Sequence, residues 1–203
     1  MKKLFESWKS YLTEQEQKYI ILIPGGFKPP HRGHMFLINE YAKHPDIERV
    51  IIIVGSSPRS SDDNSIVIDV DKSIKIFDLY GAFSNPKIEL MRAKTKISST
   101  GKEYENPFAD AVDYVKNADL ESHRNNIIAI GYPTKEPSRG KMFLRATAGA
   151  EIATDLPPII PSADEISATR LRNAIANEDE EAIKESLPDP SIYEEFMNII
   201  FSI

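Results

Sequence analysis

The chain has 203 residues, is 41% hydrophobic and 28% charged, and contains no cysteine, which fits one α/β domain and excludes disulfides and thiolate metal sites. Its formal net charge is −6, and the segment from residue 164 onward holds ten acidic and three basic residues. The sequence contains no run of basic residues that would form a positively charged face, so we expect no nucleic acid partner. Because no apolar run reaches the roughly 18 residues of a membrane span, we expect no membrane partner and a cytoplasmic location, in the host cell for a viral protein.

The first 18 residues are predicted to form an amphipathic helix. Its apolar stripe at helical spacing consists of Leu4, Phe5, Trp8, Tyr11 and Leu12. A lone short helix is marginal in water, so this stripe must pack on the body of the protein or on a second subunit, which leaves a homo-oligomer as an alternative. The tripeptide Leu12-Thr13-Glu14 is similar to the end of cleavable leaders of proteins packaged into the heads of some tailed bacteriophages, and packaging in a virion is therefore a further hypothesis.

Short apolar runs alternate with helix-like segments after residue 18. Each run is too short for a helix and is typical of a strand buried in a parallel sheet. The predicted strands cover residues 19–23, 50–55, 87–91 and 127–131, with weaker predictions at 142–144 and 158–161. Helices are predicted over about residues 31–41, 70–83, 107–118, 169–186 and 190–201, and loops over 56–64 and 97–106. The alternation predicts an α/β fold, a Rossmann-like doubly wound parallel sheet of about five strands with C-terminal helices.

The segment that follows the first predicted strand has the features of a phosphate site. It reads Gly25-Gly26-Phe27-Lys28-Pro29-Pro30-His31-Arg32-Gly33-His34 and leads into a predicted helix. Ligands bind at the carboxyl ends of such strands, glycines let the backbone approach a phosphate, and a helix N-terminus attracts an anion. His31 and His34 are three residues apart, so both rings face the same side and can donate to phosphate oxygens. A zinc site is a poor alternative without a nearby carboxylate or cysteine.

This segment resembles the signature G-x-F-x-P-x-H-x-G-H of the HxGH nucleotidyltransferase superfamily. That superfamily includes nicotinamide-mononucleotide, nicotinate-mononucleotide and phosphopantetheine adenylyltransferases, FAD synthetases and cytidylyltransferases. Its second motif, I-S-x-T-x-x-R, is matched by residues 166–172, with Arg172 in the arginine position. A similar run that starts at Ile97 has Glu103 in that position and is rejected, since a phosphate site needs the cation. The resemblance implies a nucleotidyltransferase domain over residues 19–175, followed by a C-terminal helical extension over 176–203.

The resemblance also implies roles for individual residues. The residues with implied catalytic roles are Lys28, His31, His34 and Arg172. The residues implied to bind the nucleotide are Gly25, Gly26, Phe27, Gly33, Gly131, Tyr132, Ser167 and Thr169. The residues implied to face the acceptor are Gly55, Ser56 and Arg92. Many relatives have aspartate or glutamine where this chain has Lys28, and the lysine favours the branch that includes archaeal-type nicotinamide-mononucleotide adenylyltransferases.

The reaction implied by the resemblance is transfer of AMP from ATP to a phosphorylated small molecule such as nicotinamide mononucleotide. Magnesium would be held through the nucleotide phosphates and water. Three alternatives remain: cytidylyl transfer from CTP to a sugar or alcohol phosphate, a nucleotide-binding module without catalysis, and a class I aminoacyl-tRNA synthetase, which this chain fits poorly without an anticodon-binding domain. A dinucleotide-dependent oxidoreductase is excluded because its G-x-G-x-x-G turn is missing.

Overall fold

The computed structural model describes residues 17–97, 100–101, 103–133, 136–160 and 166–202. The N-terminal helix predicted over residues 1–18 lies outside this part of the chain except for residues 17 and 18, and Lys18 begins a strand instead. Within the described ranges, none of the helices is long and apolar enough to cross a membrane.

Strands and helices alternate along the described residues. The strands are β1 Lys18–Gly25, β2 Ile47–Val54, β3 Arg59–Ser60, β4 Val67–Ile68, β5 Ile88–Arg92, β6 Thr95–Ile97, β7 Glu103–Glu105 and β8 Asn126–Ile130. The α-helices are α1 Arg32–Lys43, α2 Val70–Leu79, α3 Pro107–Lys116, α4 Pro137–Ala146, α5 Ala168–Ala176, α6 Glu180–Ser186 and α7 Tyr193–Phe201. Short 3₁₀ helices span Ala82–Ser84 and Pro190–Ile192.

A parallel sheet in the order β5-β2-β1-β8 forms the centre of the molecule. The chain builds outward from β1 through β2 to β5 and then returns to place β8 on the other side of β1. This reversal creates a switch point at the carboxyl ends of β1 and β8, where ligands bind in open α/β sheets. The predicted Rossmann-like α/β fold is confirmed.

The two faces of the sheet carry separate apolar layers. Ile21 and Ile23 of β1 pack with Ile38 of α1 on one face. Ile20 and Leu22 point to the opposite face, which α3 and α4 cover. Successive residues of a strand point to opposite faces, so a strand covered on both faces must be apolar throughout. This explains the uninterrupted apolar run that predicted β1.

The C-terminal helices form a third apolar cluster with α2 and β4. This cluster contains Ile68 of β4, Ile76 of α2, Leu171 of α5 and Phe196 of α7, all buried. The Nζ of Lys72 adds a hydrogen bond of 2.6 Å to the carbonyl of Ile200. The helices after residue 166 are therefore packed against elements that follow β2.

Two of the weaker strand predictions were wrong. Residues 142–144 lie in α4, which begins at Pro137 and buries Phe143 while Met142 is 51% exposed. Residues 158–160 form no strand, and residue 161 lies outside the described part. Thr154 makes an isolated parallel bridge with Ile128, so the main sheet has four strands among the described residues instead of about five.

Other predicted boundaries also differ from the structure. The strands β6 and β7 pair antiparallel, and the predicted loop over 97–106 contains Ile97 of β6 and all of β7. The predicted loop over 56–64 contains β3, which pairs with β4. The single helix predicted over 169–186 is divided into α5 and α6. Glu178 has a positive φ of 55° there, and the side chain of Asp179 caps the second helix. A left-handed residue ends a helix, and an aspartate cap starts the next one.

Candidate active site

The turn after β1 brings the first motif to the switch point of the sheet. A Cβ on Gly25 would lie 2.8 Å from the ring of Phe27, so the turn needs glycine there. Phe27 itself has a φ of 52°, an uncommon conformation for a residue with a large side chain. Open space surrounds Gly26, where an added Cβ would meet nothing within 4 Å. The turn is thus tight at Gly25 and accessible at Gly26.

The ring of Phe27 is buried and orients the second histidine of the motif. It lies edge-on to His34 with ring centroids 4.8 Å apart, and edge-on to Phe77 of α2 at 5.4 Å. Phe77 is also fully buried. Phe27 therefore contacts His34 directly, while its predicted contact with a nucleotide stays a prediction.

His31 and His34 are brought together at the start of α1. Their rings are stacked with centroids 3.7 Å apart, and the half-buried Gly33 lies between them in the first turn. The backbone N–H of His31 donates to Nδ1 of His34 at 3.3 Å. Because Nδ1 of His34 accepts a hydrogen bond, its proton lies on Nε2 in the neutral ring. His34 can therefore donate from Nε2 to a phosphate oxygen.

Burial keeps both imidazoles neutral. It lowers the pKa of His31 to about 4, and the pKa of His34 lies well below its usual value because of burial and, in second place, the neighbouring His31. The Nδ1 atom of His31 is buried and has no hydrogen-bond partner among the described residues. A buried polar atom of this kind costs free energy unless a ligand or water binds it. The pair thus has hydrogen-bonding capacity that the described part of the protein leaves unused.

Lys28 joins the ends of β1 and β2. Its side chain is 1% exposed, and Nζ donates to the carbonyl of Gly26 at 3.3 Å and to the carbonyl of Gly55. Burial lowers the pKa of Lys28 to about 8, although the charges of Asp69 and Glu105 act in the opposite direction. The ammonium is therefore held between backbone carbonyls beside the histidine motif.

Arg172 of the second motif is buried and reaches the first motif. Its Nε donates to the carbonyl of Ser60 at 2.6 Å, and Nη1 donates to the carbonyl of Lys28 at 2.5 Å. Its Nη2 donates to the hydroxyl of Thr169 at 3.0 Å. Ser167 caps α5 by accepting a hydrogen bond from the N–H of Arg170 at 3.1 Å, as its position before the helix predicts. The arginine of the second motif therefore connects that motif to the first by a hydrogen bond.

The end of β8 lies on the other side of the switch point. A Cβ on Gly131 would come within 2.9 Å of both Ile21 and Ile23, so only glycine packs there. Tyr132 follows and is half-buried against α4, where a Cβ on Gly140 would lie 2.6 Å from its ring. The sequence predicted Gly131 and Tyr132 as site residues but missed Gly140, because the strand prediction for 142–144 concealed the helix.

The end of β2 holds the residues predicted to face the acceptor. The N–H groups of Ser56 and Ser57 donate to Oε2 of Glu105 at 2.5 and 3.0 Å. Arg92 at the end of β5 is exposed and pairs with Asp71 at 2.5 Å. Gly55 and Ser56 thus lie beside Lys28 and Glu105, while Arg92 is engaged with α2. The predicted loop over 97–106 concealed Glu105, because an isolated glutamate in a polar loop gives no signal.

Two further arginines near the motifs carry no sequence signal. Arg139 of α4 donates from Nη2 to the carbonyl of Pro24 at 3.0 Å and holds the end of β1. Arg59 begins β3 and is exposed. Its charge lowers the pKa of both Lys28 and Arg172, after burial as the larger cause for both. The cationic side chains of Lys28, Arg59 and Arg172 therefore lie close together where the two motifs meet.

Neither of two cavities found in the described part of the chain is lined by His31 or His34. An open groove of about 620 Å³ lies between Arg32 and α6, and a second cavity of about 350 Å³ is lined by Met91, Lys94 and residues of α3. Within the described ranges, no group of three or more histidine, aspartate or glutamate side chains could hold a metal ion. The side chains that the two motifs bring together are imidazoles and cations.

Comparison of the chain with known proteins gives one family match. A family model described as cytidylyltransferase-like matches residues 22–174, which include both motifs. A search of curated protein sequences found no match.

Solved structures share the fold at low sequence identity. A bifunctional NMN adenylyltransferase/ADP ribose pyrophosphatase from Francisella tularensis is 16% identical with a TM-score of 0.58, and the match covers 92% of this chain and 50% of that one. A protein assigned as a nicotinate-nucleotide adenylyltransferase from Vibrio parahaemolyticus is 15% identical with a TM-score of 0.54, over 89% and 99% of the two chains. Nicotinic acid mononucleotide adenylyltransferase from Plasmodium falciparum, complexed with NaAD, is 15% identical with a TM-score of 0.52, over 89% and 96%.

Proposed function

Because this chain belongs to the cytidylyltransferase-like family within the HxGH nucleotidyltransferase superfamily, we propose that it transfers AMP from ATP to a phosphorylated small molecule such as nicotinamide mononucleotide. The observation that carries the proposal is the stacked pair of neutral imidazoles, His31 and His34, at the N-terminus of α1 and at the switch point of the sheet. A helix N-terminus and two imidazole donors suit a ligand whose negative charge grows during the reaction.

The proposed step forms one phosphorus–oxygen bond and breaks another. A phosphate oxygen of the acceptor attacks the α-phosphorus of ATP, and the bond from that phosphorus to the bridging oxygen breaks, so pyrophosphate leaves with the bonding electrons. His34 donates from Nε2 to the oxygen on which charge develops, since its Nδ1 is engaged by the N–H of His31. The protein contributes positioning and electrostatic stabilisation instead of a covalent intermediate.

Adenylyl transfer is supported by two observations. The structural relatives of this chain include proteins named as NMN and nicotinic acid mononucleotide adenylyltransferases. In addition, the lysine at position 28 of the first motif favours the archaeal-type branch of these enzymes. Cytidylyl transfer from CTP to a sugar or alcohol phosphate is the second candidate, and the description of the matching family favours it.

Magnesium fits this site as an ion that arrives with the nucleotide. The side chains around the motif are imidazoles and cations, which are poor magnesium ligands, so phosphate oxygens and water would hold the ion. When bound in that way, it would neutralise charge on the triphosphate. A relative of known structure was obtained with AMP and a manganese ion, which supports the use of a divalent cation.

A pyrophosphate-release screen tests the proposal. The purified protein is incubated with magnesium and either ATP or CTP, each against nicotinamide mononucleotide, nicotinate mononucleotide, sugar phosphates and alcohol phosphates. We expect release with ATP and a mononucleotide acceptor, and no release without an acceptor.

The same screen distinguishes the alternatives. Release only with CTP and an alcohol or sugar phosphate would replace adenylyl by cytidylyl transfer. Binding of a triphosphate without release for any acceptor would indicate the non-catalytic module. A His34→Ala protein in parallel serves as the control for contaminating activity.

A further inference from the structure

Lys28 and Arg172, the buried cations of the two motifs, are largely occupied by the protein itself. The Nζ of Lys28 donates to two carbonyls, and each of the three guanidinium nitrogens of Arg172 donates to a protein oxygen. Both side chains are also buried, at 1% and 8% exposure. Lys28 keeps one N–H donor and Arg172 keeps two, but because both side chains are buried, a ligand phosphate reaches them less readily than it reaches an exposed cation.

Arg139 is occupied in a similar way. It donates from Nη2 to the carbonyl of Pro24 and pairs through Nη1 with Glu136 at 3.2 Å. Its guanidinium therefore stabilises the end of β1. A phosphate ligand at the junction of the motifs is best bound by an exposed cation that keeps all of its N–H donors for the ligand.

Arg59 meets this requirement. Its backbone is fixed in β3 opposite Ile68 of β4, and the carbonyl of the next residue, Ser60, accepts the hydrogen bond from Nε of Arg172. The side chain of Arg59 is exposed and, among the residues that the structure describes, makes no hydrogen bond or ion pair. Its guanidinium is thus attached to a fixed backbone beside both motifs and is available to a ligand.

We propose that Arg59 binds a phosphate group of the reacting ligands. In this arrangement the exposed Arg59 contacts the substrate, while the buried Arg172 stabilises the conformation of the site. The proposal rests on the proposed function. A guanidinium suits this role because it presents parallel N–H donors that match two phosphate oxygens. The phosphate could belong to the triphosphate or to the acceptor.

Calorimetric titration of the purified protein separates these two sources. The probes are ATP with magnesium, inorganic tripolyphosphate, and nicotinamide mononucleotide, and the variants are Arg59→Ala, Arg59→Lys and Arg124→Ala. Arg124 is the matched control, because it is an exposed arginine beside the amino end of β8, at the opposite edge of the sheet. Thermal melting of each variant checks that the fold is retained.

We expect Arg59→Ala to weaken binding of ATP and tripolyphosphate about tenfold or more, the size of effect that loss of one charge-assisted phosphate contact gives. Arg59→Lys should retain part of the affinity, and Arg124→Ala should bind as the wild type does. A loss confined to nicotinamide mononucleotide would assign the contact to the acceptor phosphate and would equally support the proposal.

The proposal is overturned if Arg59→Ala binds all three probes as tightly as the wild type. It is also overturned if Arg124→Ala weakens binding as much, since the effect would then reflect net charge alone. A wild-type protein that releases pyrophosphate while Arg59→Ala is unchanged contradicts this inference only. A wild-type protein that binds none of the probes contradicts the proposed function and this inference together.

Discussion

The guanidinium of Arg172 donates a hydrogen bond to the carbonyl of Lys28 across 144 residues of sequence. The second motif therefore stabilises the conformation of the first. The resemblance to known nucleotidyltransferases implies a catalytic role for this arginine, and the structure adds a positioning role, since its Nε also fixes Ser60 beside Arg59.

Substitution of Arg172 should reduce stability. In Arg172→Ala the buried carbonyl of Lys28 and the part-buried carbonyl of Ser60 lose their donor, and an unsatisfied buried group costs roughly 1–3 kcal/mol. We expect the free energy of unfolding, measured by urea denaturation, to fall by this order. Arg170→Ala is the matched control because Arg170 is exposed on the same helix. Equal stability of the two variants would contradict the positioning role.

Loss of either motif histidine should reduce turnover much more than nucleotide affinity. Removal of one donor that stabilises developing charge typically lowers kcat about a hundredfold or more, because the contact strengthens in the transition state. We expect this for His34→Ala and His31→Ala in the pyrophosphate-release assay, with KM for the nucleotide little changed. His44→Ala at the other end of α1 serves as the control. Near-normal kcat in His34→Ala would rule out the proposed mechanism.

Burial of His31 predicts a loss of stability in acid. The pKa of His31 is lowered to about 4 in the folded protein, from 6.5 for an ordinary histidine. Between these values the unfolded chain takes up a proton that the folded protein does not, so the free energy of unfolding falls as the pH decreases from 6.5 to 4. Above pH 6.5 the group has no effect. His34 acts in the same direction.

Urea denaturation from pH 8 to pH 4 measures this dependence. We expect the His31→Gln protein to lose less stability over the acidic part of the range than the wild type, since glutamine does not titrate. An identical pH profile for the two proteins would show that His31 is protonated as easily in the folded state as in the unfolded chain.

Glu105 should influence the acceptor side of the site. Its carboxylate accepts from the N–H groups of Ser56 and Ser57, and its charge partly offsets the lowering of the Lys28 pKa by burial. In Glu105→Gln these hydrogen bonds weaken and the negative charge disappears. We expect KM for the acceptor to change severalfold while KM for ATP stays within about twofold, as an interaction at one subsite affects mainly the ligand bound there. Glu121→Gln, an exposed glutamate after α3, is the control. A larger effect on ATP would place the triphosphate near the end of β2.

Several features could be predicted from local sequence patterns. Uninterrupted apolar runs predicted the buried parallel strands, because a strand covered on both faces needs apolar residues at every position. The cap that Ser167 provides for α5 follows a local rule, because a hydroxyl just before a helix can accept from the first free N–H groups. The placement of His31 and His34 at a helix start followed from their position after a strand and a glycine turn. In contrast, the apolar run of Met142, Phe143 and Leu144 was too short for its period to distinguish a helix from a strand.

The rest was decided by how distant segments dock. The burial of Arg172 against Ser60 and Lys28, the contact of Glu105 with the amides after β2, and the fit of Tyr132 against Gly140 all join residues from different elements. A local pattern cannot specify such contacts, because they depend on the separation and orientation of whole strands and helices after packing. The sequence by itself determined the family, the fold class and the position of the histidine motif. Only the tertiary structure decided, among the described residues, that Lys28 and Arg172 are buried where the motifs meet while Arg59 beside them is exposed.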